Sequence, residues 1–207
     1  MAGYIGSKAV LLSTTAAEVS GDADIGGSVL VDTIKADNGT TAMTINSSGD
    51  IIETNYELDN WRLTADFTTN DSTITGWSRN TALTGWSKIG TGMTESSGVF
   101  SFPRTGLYSV RSMATFTLTT DDTACKFQTY VTLNNSSYSQ IAEATAGITD
   151  SSATVQGAYS ESLVNVTDIS NVKVKFVLAS AASNNGIDGS TDFQRTGVFF
   201  ERKGSSQ

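Results

Sequence analysis

The sequence predicts an all-β protein in which a short β-rich N-terminal segment precedes a β-sandwich of the jelly-roll type. Three observations lead to this prediction. Apolar residues alternate with polar ones over many short runs, which is the period of a strand with one buried face. Gly, Asn, Asp and Ser cluster between these runs about every ten residues, as turns do in a sandwich. No long stretch repeats apolar residues at the helical period.

Residues 1–56 form the first predicted region, because they contain no Trp and no Phe. Their short apolar patches are separated by turn pairs such as Asn38-Gly39 and Ser48-Gly49, whose glycines supply the positive φ of a tight turn. With so few large side chains, these strands cannot build a core alone. We therefore predict that residues 1–56 bury their apolar side chains against partners, as an attachment and assembly segment. The alternative is a partly disordered leader.

Residues 57–207 form the second predicted region, since they contain all three tryptophans and all nine phenylalanines. Their alternating runs predict strands whose inward residues are Trp61, Leu63, Ala65 and Phe67 in the first run, Tyr108, Val110, Ala114, Phe116 and Leu118 in the second, and Val172, Val174, Phe176 and Leu178 in the third. The stretch IAEATAGI (141–148) could form one helical turn, but Gly147 favours a strand or a loop.

The only proline of the chain, Pro103, lies between two alternating runs in GVFSFPRTGLYSV (98–110). Proline has no N–H to donate to a sheet, so the strand that contains Phe100 must end there. Gly106 can adopt positive φ in the turn that follows. We therefore predict that the next strand begins at Leu107, with Tyr108 turned inward.

The residues Gly98, Phe100, Pro103, Gly106 and Tyr108 resemble the G-x-F-x-x-P-x-x-G-x-Y signature of the jelly roll that the complement globular-head and tumour-necrosis-factor families share. Further segments resemble the same jelly roll in the same order: KFQTYVTLNN (126–135), 155–163, VKVKFVL (172–178), Asp192-Phe193 and 197–200. The resemblance covers most of 57–204. It implies ten strands and a homotrimer about a three-fold axis.

The N-terminus carries a second resemblance. MAGYIGSKAV (1–10), LSTT (12–15) and GDADIGG (21–27) are similar to the start of fibre and appendage proteins of marine and cyanobacterial tailed phages. In those proteins the leader precedes quite different C-terminal domains, which implies a shared docking or trimerising module. The resemblance therefore implies a virion protein, made in the host cytoplasm and carried on the extracellular particle.

Composition and charge argue against several classes of partner. The net charge is −8 and no basic cluster is present, so we expect no nucleic acid partner. The longest apolar run, AVLL (9–12), is far shorter than the ~20 residues that span a bilayer, so we expect no membrane insertion. The N-terminus also lacks the pattern of a secretory signal peptide.

The chain has no histidine and a single cysteine, Cys125. Without histidine, Ser-His and Cys-His catalysis and histidine metal sites are excluded. A lone cysteine cannot form an intrachain disulfide, and we expect it half-buried in a strand. We predict that the protein is not an enzyme and has no catalytic residue and no cofactor.

Candidate binding residues are polar and aromatic groups in predicted loops: Asn134, Asn135 and Tyr138 in one loop, and Asn184, Asn185 and Asp188 in another. Trp77 and Trp86 join them because both occur in a Thr-Gly-Trp-Ser setting, and a Trp face suits stacking on a sugar ring. The alternative is that both tryptophans pack in an edge strand or at a trimer interface. The candidate partner is a host-surface glycan or protein.

Acidic residues are also candidates for metal ligands and for catalytic carboxylates. Asp121-Asp122 and the stretch from Asp188 to Asp192 could hold Ca²⁺ through oxygen ligands, but solvated loops explain them as well, and we predict no metal. The pairs Glu18/Asp22 and Asp59/Asp66 are poor candidates for the two carboxylates of a glycosidase.

These observations predict a structural protein of a phage virion. Residues 1–56 would dock on other virion proteins, and residues 57–207 would form the knob of a trimeric tail fibre or appendage that attaches to the host surface. The alternative is a capsid decoration protein, a cement or head-fibre protein that stabilises the head. A depolymerase is a third hypothesis, which the poor carboxylate pairs disfavour.

Overall fold

The computed structural model describes residues 33–35, 39, 41–53, 55–79, 87–149 and 154–207. The chain divides into two compact units, Met1–Ile52 and Glu53–Gln207. Three short strands, β1 (Thr33–Lys35), β2 (Thr41–Ile45) and β3 (Ile51–Glu53), form one sheet in the order β1-β2-β3. Ile34, Ile51 and Ile52 are exposed on these strands, as expected for a segment without large residues to cover them.

The second unit consists of two sheets of antiparallel strands. Its strands are β4 (Leu58–Leu63), β5 (Ser72–Thr73), β6 (Trp77–Arg79), β7 (Thr94–Ser96), β8 (Val99–Ser101), β9 (Gly106–Leu118), β10 (Asp122–Thr132), β11 (Tyr138–Ile148), β12 (Thr154–Val166), β13 (Lys173–Ala179), β14 (Gly186–Ile187) and β15 (Gly197–Gly204). The β9 sheet has the order β12-β9-β15-β4-β6, and the β10 sheet has the order β11-β10-β13-β8-β7.

Each sheet thus contains a run of five strands, and the two-residue strands β14 and β5 pair beside β9 and β13. The two runs supply the ten strands that the jelly-roll resemblance implied. No residue in the described ranges is helical. The prediction of an all-β jelly-roll sandwich is therefore confirmed, and IAEATAGI is part of a strand, β11.

The core lies between the two sheets and is built mainly from aromatic side chains. The alternation predicted for β9 and β13 is confirmed, because Tyr108, Phe116 and Phe176 are fully buried between the sheets. The ring of Phe100 lies 5.7 Å from that of Phe176 and 5.1 Å from that of Phe200, measured between centroids. Edge-to-face and tilted pairs at such distances add to the free energy gained by burial.

The turn at Pro103 carries the chain from one sheet to the other. The preceding strand β8 belongs to the β10 sheet, and β9 starts at Gly106 in the β9 sheet. Gly106 has φ of 153°, and a Cβ there would lie 2.7 Å from the carbonyl oxygen of Gly204, so this position requires glycine. The Tyr108 hydroxyl donates to the carbonyl of Arg104, and burial followed by the charge of Glu57 raises the pKa of Tyr108 to about 12.

The strand that contains Trp61 is shorter than the sequence predicts. Strand β4 ends at Leu63, and Ala65 is exposed, whereas the sequence predicted an inward Ala65. The reason is a close backbone approach: a Cβ on Gly189 would lie 2.3 Å from the Ala65 carbonyl oxygen, so the 189 segment occupies the position of a continued strand. Cys125, expected to be half-buried, is fully buried in β10.

Candidate functional site

The predicted loop at Asn134 is a tight turn between β10 and β11. The carboxamide oxygen of Asn134 accepts hydrogen bonds from the backbone N–H groups of Ser136 and Ser137 at 3.0 and 2.9 Å. Asn135 has φ of 56°, and its N–H donates to the carbonyl of Asn171 in a neighbouring turn. Tyr138 was expected in this loop, but it is the first residue of β11.

The second predicted loop is largely internal. Asn185 is fully buried; its carboxamide accepts from the N–H groups of Thr119 and Thr120 and donates to a carboxylate oxygen of Asp122 at 3.0 Å. Asp188 is also buried and accepts from the hydroxyl of Thr117 and from Arg195, whereas Asn184 is exposed. These contacts give Asn185 and Asp188 a role in fixing the loop.

Trp77 lies in edge strand β6 with its side chain turned into the core. It is 7% exposed, its Nε1 donates to the carbonyl of Ile74 at 2.9 Å, and its ring packs edge-on against Phe100 and Phe176. This placement corresponds to the packing interpretation rather than to a sugar-binding face. Trp86 lies outside the described residues, and so does the pair Glu18/Asp22.

The structure does not bring the two groups of candidate residues together. Asn185 lies beside Asp122, where β10 begins, and Asn134 follows Thr132, where β10 ends. A strand rises about 3.4 Å per residue, so 11 residues separate the two groups by roughly 35 Å. Any binding surface must therefore be built around one group only.

Around Tyr138, the register of three strands assembles a surface that the sequence did not reveal. Tyr138, Thr132 and Lys173 are paired across β11, β10 and β13, and Gln140, Tyr130 and Lys175 form the adjacent row. These residues alternate with core residues of the same strands, so they share the outer face of the β10 sheet. We call the six residues of these two rows the Tyr–Lys block.

Contacts within the Tyr–Lys block join cations to aromatic rings. The ammonium nitrogen of Lys175 lies 4.5 Å from the ring centroid of Tyr138 and 5.9 Å from that of Tyr130. Burial raises the pKa of Tyr138, so its hydroxyl remains protonated at neutral pH. The block thus presents the ammonium groups of its lysines and the Tyr138 hydroxyl beside two half-exposed rings, whereas the hydroxyls of Tyr130 and Thr132 donate to Gln128 and Asn134.

The neighbouring carboxylate on this face is already engaged. Glu143 accepts hydrogen bonds from Gln128 and Gln140 at 2.8 and 3.0 Å, and Lys126 lies 3.4 Å away. The hydrogen bond from Gln128, above all, lowers the pKa of Glu143. Glu143 and Lys126 therefore balance each other's charge, and they leave the charge of the Tyr–Lys block uncompensated.

The outer face of the β9 sheet has a different character. Val155, Tyr159 and Leu163 point outward from β12 and are 64%, 57% and 60% exposed, and Met113 stands opposite Tyr159 on β9. We call these four residues the apolar face. Gly157 and Glu161 occupy the outward positions between the residues of β12, and several large exposed apolar side chains on one face are typical of an interface.

Charged residues next to the apolar face are paired within the chain. Arg111 lies 3.0 Å from a carboxylate oxygen of Glu201, and the ammonium of Lys203 lies 2.8 Å from the same oxygen. The hydrogen bond from Lys203 is the largest of the effects that lower the pKa of Glu201. Glu161 accepts from the hydroxyls of Ser109 and Tyr159.

An apolar groove lies at the β11–β12 edge of the sandwich, next to the apolar face. Its volume is about 330 Å³, and its lining includes Val131, Leu133, Ile141 and Leu163. Leu133 is itself largely exposed. The sequence indicates an exposed apolar surface in this region, because large apolar residues occupy the outward positions of the 155–163 run.

Acidic groups considered as ligands or catalysts have protein partners. Asp122 accepts from the N–H groups of Ala124 and Ala182, and Asp59 accepts from Arg79, from Trp61 Nε1 and from the N–H of Met93. Within the described ranges, no group of three or more acidic or cysteine side chains is placed to hold a metal ion. The described part of the chain also contains no helix with the length and hydropathy needed to cross a membrane.

Comparison with known proteins yields likeness in structure only. No protein-family model and no curated protein matches the sequence. The chain is similar in structure to Eiger TNF from S. frugiperda, with a TM-score of 0.55 and 10% sequence identity. The matched region covers 73% of this chain and 95% of the Eiger chain. Murine APRIL at pH 8.0 is similar over 71% of this chain and 98% of its own, with a TM-score of 0.50 and 12% identity. These likenesses confirm the jelly-roll fold that the motif at Pro103 predicted.

Proposed function

We propose that the chain is a structural protein of a phage virion, a homotrimeric fibre or appendage whose jelly-roll knob contacts the host surface. The observation that carries the assembly is the apolar face. Burying a Leu or Val side chain contributes about 1.5–3 kcal/mol, so this face gains stability when a partner covers it. The virion location is supported by the likeness of roughly the first 50 residues to phage appendage leaders.

The location of the apolar face and the groove suits a contact between successive chains of a ring. The two surfaces meet at Leu163, so they form one apolar surface that extends from the outer face of the sheet to its β11–β12 edge. When the sheet part of this surface contacts the groove part on the next copy, the contact is heterologous, and it closes into a ring if the rotation permits. Arg111 and Glu201 pair with each other within the chain, so that burial there does not leave either of these two charges without a partner.

The first unit supports the docking part of the proposal. Its described strands expose Ile34, Ile51 and Ile52, and a small isolated sheet of this kind is marginally stable in water. Contacts with other virion proteins, or with two further copies of the same segment, would cover these side chains. The proposed partners of residues 1–56 are therefore virion proteins, and the proposed partner of the knob is a host-surface glycan or protein.

The oligomeric state is the first test. Light scattering of the full chain after size exclusion should give about three times the chain mass of 21.8 kDa. Leu163→Glu should yield a monomer that keeps its circular dichroism spectrum, because a charge in the interface would be desolvated without a partner. Ile89→Glu is the matched control and should remain a trimer, because Ile89 is exposed beside β4, which β9 and β15 separate from β12. A monomeric wild-type chain would overturn the proposed assembly.

The place on the particle is the second test. Gold-labelled antibody against residues 57–207, viewed on intact virions by electron microscopy, should mark the tail or spikes beside it. Even labelling over the head would replace the fibre by the capsid decoration protein. Virions without any label would overturn both virion functions.

A further inference from the structure

We propose that the Tyr–Lys block is a binding site for an acidic saccharide, a sugar ring that carries a carboxylate or a sulfate. Because we place this sugar on the host surface, the proposal rests on the proposed function for its biological source. The chemistry that recognises the sugar rests on the block alone. The reasons lie in its charge, its rings and its position in the fold.

The charge of the block is the first reason. Lys173 and Lys175 are two residues apart on the same face of β13, which places them about 7 Å from each other. In the described part of the chain, neither lysine forms an ion pair, whereas Lys126 on the same sheet is paired with Glu143. A chain with net charge −8 therefore presents two lysines on one strand face without an ion-pair partner among the described residues, and the ammonium of Lys175 lies against the rings of Tyr138 and Tyr130. An anionic group is the ligand that such a pair attracts.

The rings are the second reason. Tyr130 and Tyr138 stand half-exposed beside the ammonium groups, and the C–H face of a sugar ring stacks on aromatic faces of this kind. A simple anion would contact the ammonium groups only, and a neutral sugar would contact the tyrosine rings only. A sugar that carries an anionic group contacts both. The exposed carboxamide of Gln140 adds a donor and an acceptor for sugar hydroxyls.

The acids that surround the block do not cancel its charge. Glu143 is held by Gln128, Gln140 and Lys126. Asp168, in the turn before β13, accepts from the backbone of Ser170 and the side chain of Asn171. The overall negative charge of the chain repels an acidic polymer only over short distances in physiological salt, where the Debye length is about 8 Å.

The position of the block is compatible with the proposed assembly. It lies on the outer face of the β10 sheet, whereas the apolar face lies on the outer face of the β9 sheet. A trimer that buries the apolar face leaves three copies of the block in water. An acidic polysaccharide that reaches more than one copy would bind more tightly than a single sugar unit, because the later contacts are intramolecular.

Titration calorimetry with the full chain tests the inference. Polygalacturonate and dextran sulfate are the acidic probes, neutral dextran is the control for the sugar, and polyglutamate is the control for charge. We expect binding to at least one acidic polysaccharide that weakens as salt is raised, with much weaker binding to both controls. Equal binding of polyglutamate, equal binding of dextran, or no binding of either acidic polysaccharide would overturn the proposal.

Variants then assign the site. The double change Lys173→Gln and Lys175→Gln should weaken binding at least about tenfold, a loss of about 1.4 kcal/mol, since hydrogen bonds from charged donors to an anion are lost. Tyr138→Ala should also weaken it, and Tyr138→Phe, which keeps the ring, should restore it. Lys88→Gln, which removes an ammonium group that donates to the carbonyl oxygens of Gly90 and Thr91 outside the block, is the matched control and should bind as wild type does. Unchanged binding in both the lysine and the alanine variants would overturn the assignment.

The inference and the proposed function can fail separately. A chain that binds no acidic polysaccharide, yet blocks phage adsorption when it is added to host cells, would contradict the inference and support the host contact. A chain that binds through the block but is absent from virions would contradict the proposed function and support the site.

Discussion

The outer faces of the two sheets lie over the same core and differ in character. On β12 the outward positions include Val155, Tyr159 and Leu163, with Gly157 and Glu161 between them, whereas on β13 they include Lys173 and Lys175, followed by Val177. The inward positions of both strands hold residues that pack between the sheets, such as Val164 and Phe176. The difference teaches that the fold fixes one residue in two along each strand, and that the other residues are free to define a separate surface on each side.

The largest expected effect comes from the core that both faces share. Tyr108→Ala should lower the free energy of unfolding by about 3–5 kcal/mol, because it removes a fully buried ring. Tyr159→Ala removes the same ring from the apolar face, and we expect it to weaken the proposed trimer while the isolated fold loses far less stability. Urea unfolding of both variants makes the comparison. Equal losses would mean that Tyr159 belongs to the core as much as Tyr108 does.

An intermediate effect is expected where the two sheets are tied together. Asp122 begins β10, and it binds Asn185, which precedes β14 of the β9 sheet. Burial raises the pKa of Asp122, but hydrogen bonds from Ala182, Asn185 and Ala124 outweigh it, so that the pKa lies below its ordinary value. Asp122→Asn should cost roughly 1–3 kcal/mol at neutral pH, because buried donors lose a charged acceptor.

The sign of the pH dependence follows from the lowered pKa of Asp122. Its stabilising contribution is complete above the ordinary pKa of an aspartate and is lost as the pH falls through the lower pKa of the folded state. Urea midpoints measured from pH 7 to pH 2 should therefore decline less steeply in Asp122→Asn than in wild type. Parallel curves would show that other carboxylates cause the acid sensitivity.

The smallest effect on stability is expected from breaking the exposed ion pairs. One pair lies on the solvent-exposed β10 sheet, and the other lies beside the proposed interface on the β9 sheet. Lys126→Gln breaks a half-exposed pair with Glu143 on the β10 sheet and should change stability by less than about 1 kcal/mol. Arg111→Gln on the β9 sheet should cost a similar amount in the monomer but also weaken the trimer, because Glu201 would be buried there with one cation fewer. Sedimentation at decreasing concentration separates the two variants, and equal trimer stability would place Arg111 outside the interface.

Most of the sandwich could be predicted because strand alternation is a local property. The inward residues of β9 and β13, and the end of a strand before Pro103, follow from side-chain geometry within a few residues. The inward orientation predicted for Ala65 is wrong because the segment around Gly189, which is distant in sequence, approaches the Ala65 backbone. No local pattern could have reported that approach.

The candidate site was less predictable than the fold. In the sequence, Asn185 and Asp188 look like residues of an exposed polar loop. Both are buried because they form hydrogen bonds with residues distant in sequence. Tyr138 was selected from sequence, but its neighbour Lys175 was not. The two side chains meet because β11 and β13 both pair with β10. The sequence of a single strand does not determine its register with a neighbouring strand.

The burial of Cys125 gives the protein an internal reporter of its own fluctuations. The thiolate is the reactive form of cysteine, and burial, aided by the charge of Asp122, raises the pKa of this thiol to about 12. A thiol-specific reagent can therefore modify the chain only while β10 is separated from its neighbours. Because no other cysteine competes, the labelling rate under native conditions measures how often the sandwich opens, without denaturant and without any engineered probe.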